Sequence, residues 1–373
     1  MPFFQQAKVL IFSFLIAFLL TLSSAQNPTS ERNLASSFDF SHCSYDYDCY
    51  TETLKLGLTN SGIKPTLANL RGLSASNQTV QSYCHSIVHE LGRAAYEQTQ
   101  GDIGKVFTEG DTTCWSGFYH GALERAFSHS KDLAKTAQSL CTAENGVNGS
   151  FLYYQCLHGL GHGLSVRFDN EIYQALAICE RLVDGYQQKS CYGGVFMENY
   201  VANPAAGHVS KYLNSDDPIA PCNKVAEKFK YNCYQLVSIQ ILKLNGYDFG
   251  KAFTTCEQAD SRYMKVCYQS VGRDISGYTA ENPDKALEYC YLGSKTAQKE
   301  CIRAIAADSV YSKSSEDYVV EICKKVKEVL KPDCYESAGS SIAVLYDEVS
   351  KRQTACAKME GDYISSCKRA AGV

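Results

Sequence analysis

Five of the eight histidines in this 373-residue chain, His85, His89, His120, His158 and His162, stand at the spacing of metal ligands. His85 and His89 stand four apart in Cys84-His85-Ser86-Ile87-Val88-His89-Glu90. His158 and His162 repeat that separation in Cys156-Leu157-His158-Gly159-Leu160-Gly161-His162-Gly163. Between them, Tyr119-His120-Gly121-Ala122-Leu123-Glu124 sets a carboxylate one helical turn after an imidazole. Residues four apart leave a helix on the same face, which is how one helix offers two ligands to one ion. The expected ligands are therefore His85, His89, His120, Glu124, His158 and His162, and neutral imidazoles with a carboxylate suit zinc, copper or iron. If the centre is catalytic, Glu90 and Glu198 are the spare carboxylates, able to orient ligands or to act as general base on a metal-bound water.

Other chemistries are excluded by the same residues. His89-Glu90 opens like a zincin helix, but Arg93 stands where the second histidine is required. No Gly-x-Ser-x-Gly elbow, phosphate loop or Cys-x-x-Cys-His haem site is present. A competing explanation is packing. His-Gly recurring in a repeat lets glycine admit a neighbouring helix while the imidazole bonds a carbonyl or a tyrosine hydroxyl. Glycine inside a helix costs about 1 kcal/mol against alanine, so Gly159, Gly161, Gly163, Gly193 and Gly194 must be offset by close packing or by a ligand.

The elements that position these residues are set by cysteine. Pairs with ten residues between them recur at Cys222/Cys233, Cys256/Cys267, Cys290/Cys301, Cys323/Cys334 and Cys356/Cys367, each starting 33 or 34 residues after the last. Cys141/Cys156 and Cys179/Cys191 are looser copies. Such a period marks helical hairpins that bury their apolar faces only by stacking. The expected fold is all-α, a disulfide-stapled solenoid (an α/α superhelix of about 34-residue repeats) of eight or nine hairpins, seven of them stapled. The first cysteine ends one helix and the second opens the next. Ala137, Ala175, Ala252 and Ala286, four residues before a first cysteine, mark the seam within each hairpin. Asn282-Pro283, Asp248 and Ser315 are start signals. Cys43, Cys49, Cys84 and Cys114 remain, with three pairings open, of which Cys84–Cys114 with Cys43–Cys49 is favoured. In repeat length and hairpin form the chain resembles tetratricopeptide-like solenoids, without that family's tryptophan and proline positions and without a motif that carries over a function.

Counted from the helix-opening cysteine, His120 and His162 share the sixth following position, so stacked parallel helices place them on one face at one height. His85 and His89 sit at the first and fifth positions and join them only if the first hairpin is rotated by roughly 100°.

Organisation follows. Residues 1–25, with Lys8, an apolar run from Val9 to Leu22 and Ser23-Ser24-Ala25, read as a cleaved secretory signal. Residues 26–73 read as an N-terminal polar strap with a first helix from Pro65, 74–215 as the histidine-rich hairpins and 216–373 as the regular stack. Eighteen cysteines suit an oxidising compartment, so a secreted, extracellular protein with no membrane span after signal cleavage is expected. Asn77-Gln78-Thr79 and Asn148-Gly149-Ser150 are glycosylation sequons. A net charge of -4 with mixed signs offers no basic surface for nucleic acid. Three functions are compatible: a metal-binding or metal-transfer protein, a metal-dependent hydrolase or oxidase, and a metal-free scaffold whose tyrosine-rich surface takes a protein or glycan partner.

Overall fold

A computed structural model describes residues 38–44, 46–128, 130–142, 147, 149–201, 210–279, 282–313 and 316–373. The stretch read as a secretory signal, the sequon residue Asn148 and the expected start signal Ser315 lie outside these residues. The described chain is all-helical. Helices α1 (Tyr47–Ser61), α2 (Ile63–Ser76) and α3 (Gln78–Gln98) open it, followed by α4 (Ile103–Glu109), α5 (Thr113–Ser128), α6 (Leu133–Leu140), α7 (Ser150–Arg167), α8 (Ile172–Cys179) and α9 (Gly185–Val201). The second half runs through α10 (Glu227–Tyr234), α11 (Ser238–Asn245), α12 (Phe249–Cys256), α13 (Met264–Tyr278), α14 (Pro283–Cys290), α15 (Lys295–Lys313), α16 (Asp317–Lys325), α17 (Lys331–Leu345), α18 (Val349–Ala357) and α19 (Tyr363–Ala370).

Most hairpins pair a short helix with a longer one, and the longer helices α3, α5, α7 and α9, then α13, α15 and α17, pack each on the next to form the inner layer. The local signals act as expected. Asn282 accepts from the Lys285 amide at 3.1 Å ahead of Pro283, and Asp248 accepts from the Lys251 amide at 3.0 Å. The seam alanines Ala137, Ala175, Ala252 and Ala286 are all buried.

All nine disulfides form. Seven staple one hairpin each: Cys141–Cys156, Cys179–Cys191, Cys222–Cys233, Cys256–Cys267, Cys290–Cys301, Cys323–Cys334 and Cys356–Cys367. Closing a loop this short contributes about 3 kcal/mol per bridge in the chain-entropy model. Cys43–Cys49 and Cys84–Cys114 complete the set. The last differs in kind, because α4 carries no cysteine and Cys114 pairs instead with the preceding inner helix.

The sequence reading needs three corrections. The polar strap contains a helix, α1, capped by Asp46 and turned inward by Tyr50, Leu54 and Leu58. The first helix expected at Pro65 starts at Ile63 and is the partner of α1. In the Cys222/Cys233 unit the inner helix is broken into α10 and α11.

The stack also curls back on itself. Helix α15 touches α5, and α17 touches α7. Asp347 accepts from the Ser150 hydroxyl at 2.6 Å and from its amide at 3.2 Å, capping α7 from 197 residues away. Phe151 stacks on Tyr311 with ring centroids 6.0 Å apart, and the Trp115 ring lies against Gly277. Among the described residues no helix is long and apolar enough to cross a membrane.

Candidate metal centre

Helices α3, α5, α7 and α9 approach at backbone distance because glycines line their seams. A Cβ on Gly121 would collide with the carbonyl oxygen of His89, and one on Gly194 with that of His158. Packing and histidine clustering, rival explanations in the sequence, are here one arrangement. His120 and His162 stack as their common register requires, with centroids 4.4 Å apart and planes 16° from parallel.

His85 and His89 join them through a local irregularity at the start of α5. Cys114, Trp115 and Ser116 are left-handed, with φ of 52°, 57° and 62°, a conformation costing roughly 1–2 kcal/mol per non-glycine residue. The turn delivers the Cys114 carbonyl to His85, whose Nδ1 donates to it at 2.8 Å. The Cys84–Cys114 bridge holds the same two segments together.

One ring nitrogen each from His85, His89, His120 and His162 now lie within 4.8 Å of one another. Hydrogen bonding fixes the tautomers of His85 and His162. His85 Nδ1 carries the proton, since a carbonyl can only accept. His162 Nδ1 lies 2.8 Å from Glu198 Oε2 and presents its N–H there, while His89 Nδ1 lies 2.6 Å from Glu124 Oε1, the separation of an ion pair. His85 Nε2 is thus a bare lone pair, and it faces His89 Nε2 at 3.0 Å. His162 Nε2 and both nitrogens of His120 are buried without a hydrogen-bond partner. The approach of His85 Nε2 to His89 Nε2 is met either by an N–H of His89 or by a cation shared between the two nitrogens.

Burial, reinforced by the neighbouring imidazoles, pushes His85 and His120 well below the ordinary histidine value, and burial pushes His162 down to about 3. These three imidazoles stay neutral, which is the state that ligates metal. Nitrogens about 2.0–2.1 Å from a tetrahedral zinc stand about 3.3 Å from each other, close to the His85–His89 spacing.

The remaining expected residues take other places. Glu124 and Glu198 stand behind His89 and His162, orienting them as outer partners of ligating histidines do. A second grouping, of His89, Glu124, His162 and Glu198, is also compact. Arg93 already supplies a cation there: it donates to Glu124, and Glu198 adds to the charge that raises its pKa. Glu124 is held below the ordinary carboxylate range by His89 and Arg93, against the opposing effect of its burial. His158 is one ring removed, 5.1 Å from both His120 and His162, with the Ser190 backbone as its partner. Glu90 points away, paired with Arg93 at 2.5 Å and Lys55 at 3.4 Å. A third grouping, His42 with Cys43 and Cys49, is closed by the disulfide between its cysteines.

Arg93 and the Cys114 carbonyl are the parts missed from sequence. Arg93 had a signal, standing one turn beyond His89. The carbonyl had none, because left-handed backbone at three non-glycine residues leaves no mark in composition.

Comparison with protein-family models, with curated proteins and with solved structures returns no match to this chain.

Proposed function

We propose that this chain is a secreted helical-repeat protein that holds one transition-metal ion on His85, His89, His120 and His162. The observation that carries the reading is the convergence of one nitrogen each from His85, His89, His120 and His162 within 4.8 Å, with both His120 nitrogens and His162 Nε2 buried and unpartnered. Glu124, Glu198 and the Cys114 carbonyl are then the groups that aim three of the four ligands. Four imidazoles fill a tetrahedral centre, whereas a catalytic zinc keeps one position open for water or substrate. That contrast, with Glu90 turned away, favours storage, transfer or structural use of the ion over hydrolysis. Export is supported by the apolar N-terminal run and by nine disulfides without a free cysteine among the described residues.

Elemental analysis tests this reading on protein purified from an oxidising host without chelator or affinity histidines. The expected result is near-stoichiometric zinc, copper or iron, lost in a His120→Ala/His162→Ala variant that keeps its helical circular dichroism. Metal-free protein after supplementation and dialysis would leave the histidines as packing residues of a partner-binding scaffold.

A further inference from the structure

Resting on the metal reading above, we infer that the Cys84–Cys114 disulfide is a redox latch on the ion, closed when oxidised and opened by a dithiol. Three observations converge on it. The first is connectivity. Seven bridges staple the two arms of one hairpin, whereas Cys84–Cys114 ties α3 to the start of α5, the two helices that carry His85, His89 and His120. Cys84 directly precedes His85, and the Cys114 carbonyl receives the Nδ1 proton of that histidine. Both anchors of one ligand therefore belong to one bridge.

The second is access. Of the fourteen staple cysteines, thirteen are 0% exposed and Cys141 is 7% exposed. Cys114 is half-buried, beside the exposed Trp115. Thiol attack needs an approachable sulfur, so a reductant meets Cys114 before any staple. The other approachable bridge, Cys43–Cys49, lies outside the four-histidine centre. The third is the left-handed run Cys114–Trp115–Ser116, backbone held in a sparsely populated region by its surroundings. Freed of the bridge, this turn relaxes toward ordinary helix and withdraws the carbonyl from His85.

The chemistry balances as thiol–disulfide exchange. One thiolate of the dithiol attacks the Cys114 sulfur, the Cys84–Cys114 bond breaks, and Cys84 leaves as a thiol once protonated. The second thiol of the reductant then displaces Cys114 from the mixed disulfide. Two electrons and two protons pass to the protein, and the dithiol departs as a disulfide. His85 loses its orienting partner, and the ion is held by three imidazoles in place of four.

The test uses Co²⁺ as spectroscopic probe on the full-length mature protein, with affinity read by chelator competition. A Cys84→Ser/Cys114→Ser variant mimics the open latch without adding thiolates. Its expected Co²⁺ affinity is at least tenfold below wild type, the lower end of the loss when an outer-shell partner is removed. A Cys43→Ser/Cys49→Ser variant is expected to match wild type. If the folded Cys84→Ser/Cys114→Ser variant binds within twofold of wild type, the latch is overturned and the metal centre stands. If oxidised wild type shows no saturable Co²⁺ binding, the metal centre falls and the latch with it. Should the variant not fold, partial reduction of wild type followed by alkylation mapping decides. Labelling of Cys84 and Cys114 ahead of the staples, with Co²⁺ released in the same step, is the expected result; Co²⁺ retained at that step, or staples labelled first, overturns the latch.

Discussion

His162 commits one nitrogen to Glu198 and leaves the other to face three imidazoles, so a change at Glu198 reaches the metal without touching it. Glu198→Gln removes the charge behind the ring and keeps an acceptor. About tenfold weaker metal binding with stoichiometry unchanged is expected, measured by chelator competition. A different polar residue answers to pH. Burial holds Asp308 on α15 up to about 6 from its ordinary 3.8, against the lowering effects of Ser276 and Arg273 and with the raising effect of Asp274. Between these two values the folded state keeps a proton that the unfolded chain has lost, so stability falls as pH rises through about 4 to 6. Above that window the full penalty applies. Asp308→Asn should therefore stabilise the fold above pH 6, by on the order of 1–3 kcal/mol, and be near neutral below pH 4. Denaturant melts at both pH values check this, and a variant less stable at pH 8 would contradict it.

Among the elements, the inner helices decide whether the histidines meet. Gly121 lies against the His89 carbonyl, whereas Gly72 in α2 has open space at its Cβ position. Alanine at 121 should cost at least about 2 kcal/mol, since backbone must move, and should lower metal content with it. Alanine at 72 should stabilise by about 0.5–1 kcal/mol through helix propensity. Thermal melts of the two variants give opposite signs if the close approach is real. What was legible in the sequence follows the same division. The cysteine period set the hairpins and the seven staples, and the shared register of His120 and His162 set their stacking. Helix α1 was missed under a polar composition, although Tyr50, Leu54 and Leu58 stand four apart. The rotation that admits His85 and His89 was illegible for a physical reason: it depends on a left-handed turn and an inter-helix bridge, neither of which is a local preference of the residues involved.

At the scale of the whole molecule, a solenoid is stabilised by nearest neighbours, and this one adds contacts between distant turns. Asp347 caps α7, whose own cap position is Gly149 without a side chain to offer. Asp347→Ala should cost roughly 0.5–2 kcal/mol, the range for a lost N-cap, and should raise amide exchange at the start of α7, far away in sequence. No sequence period foretells such a contact, because it joins residues 150 and 347 only after the stack has curled. The return packing of α15 on α5 and of α17 on α7 places the regular half against the helices that carry the histidines.

X-ray absorption at the edge of the ion that accompanies the oxidised protein tests the central claim most directly. The account predicts a first shell of four nitrogens, at roughly 2.0–2.1 Å if the ion is zinc, with the outer-shell scattering of imidazole rings and no sulfur. A sulfur shell, a shell of carboxylate or water oxygens without imidazole scattering, or an absent edge would contradict a centre built on His85, His89, His120 and His162.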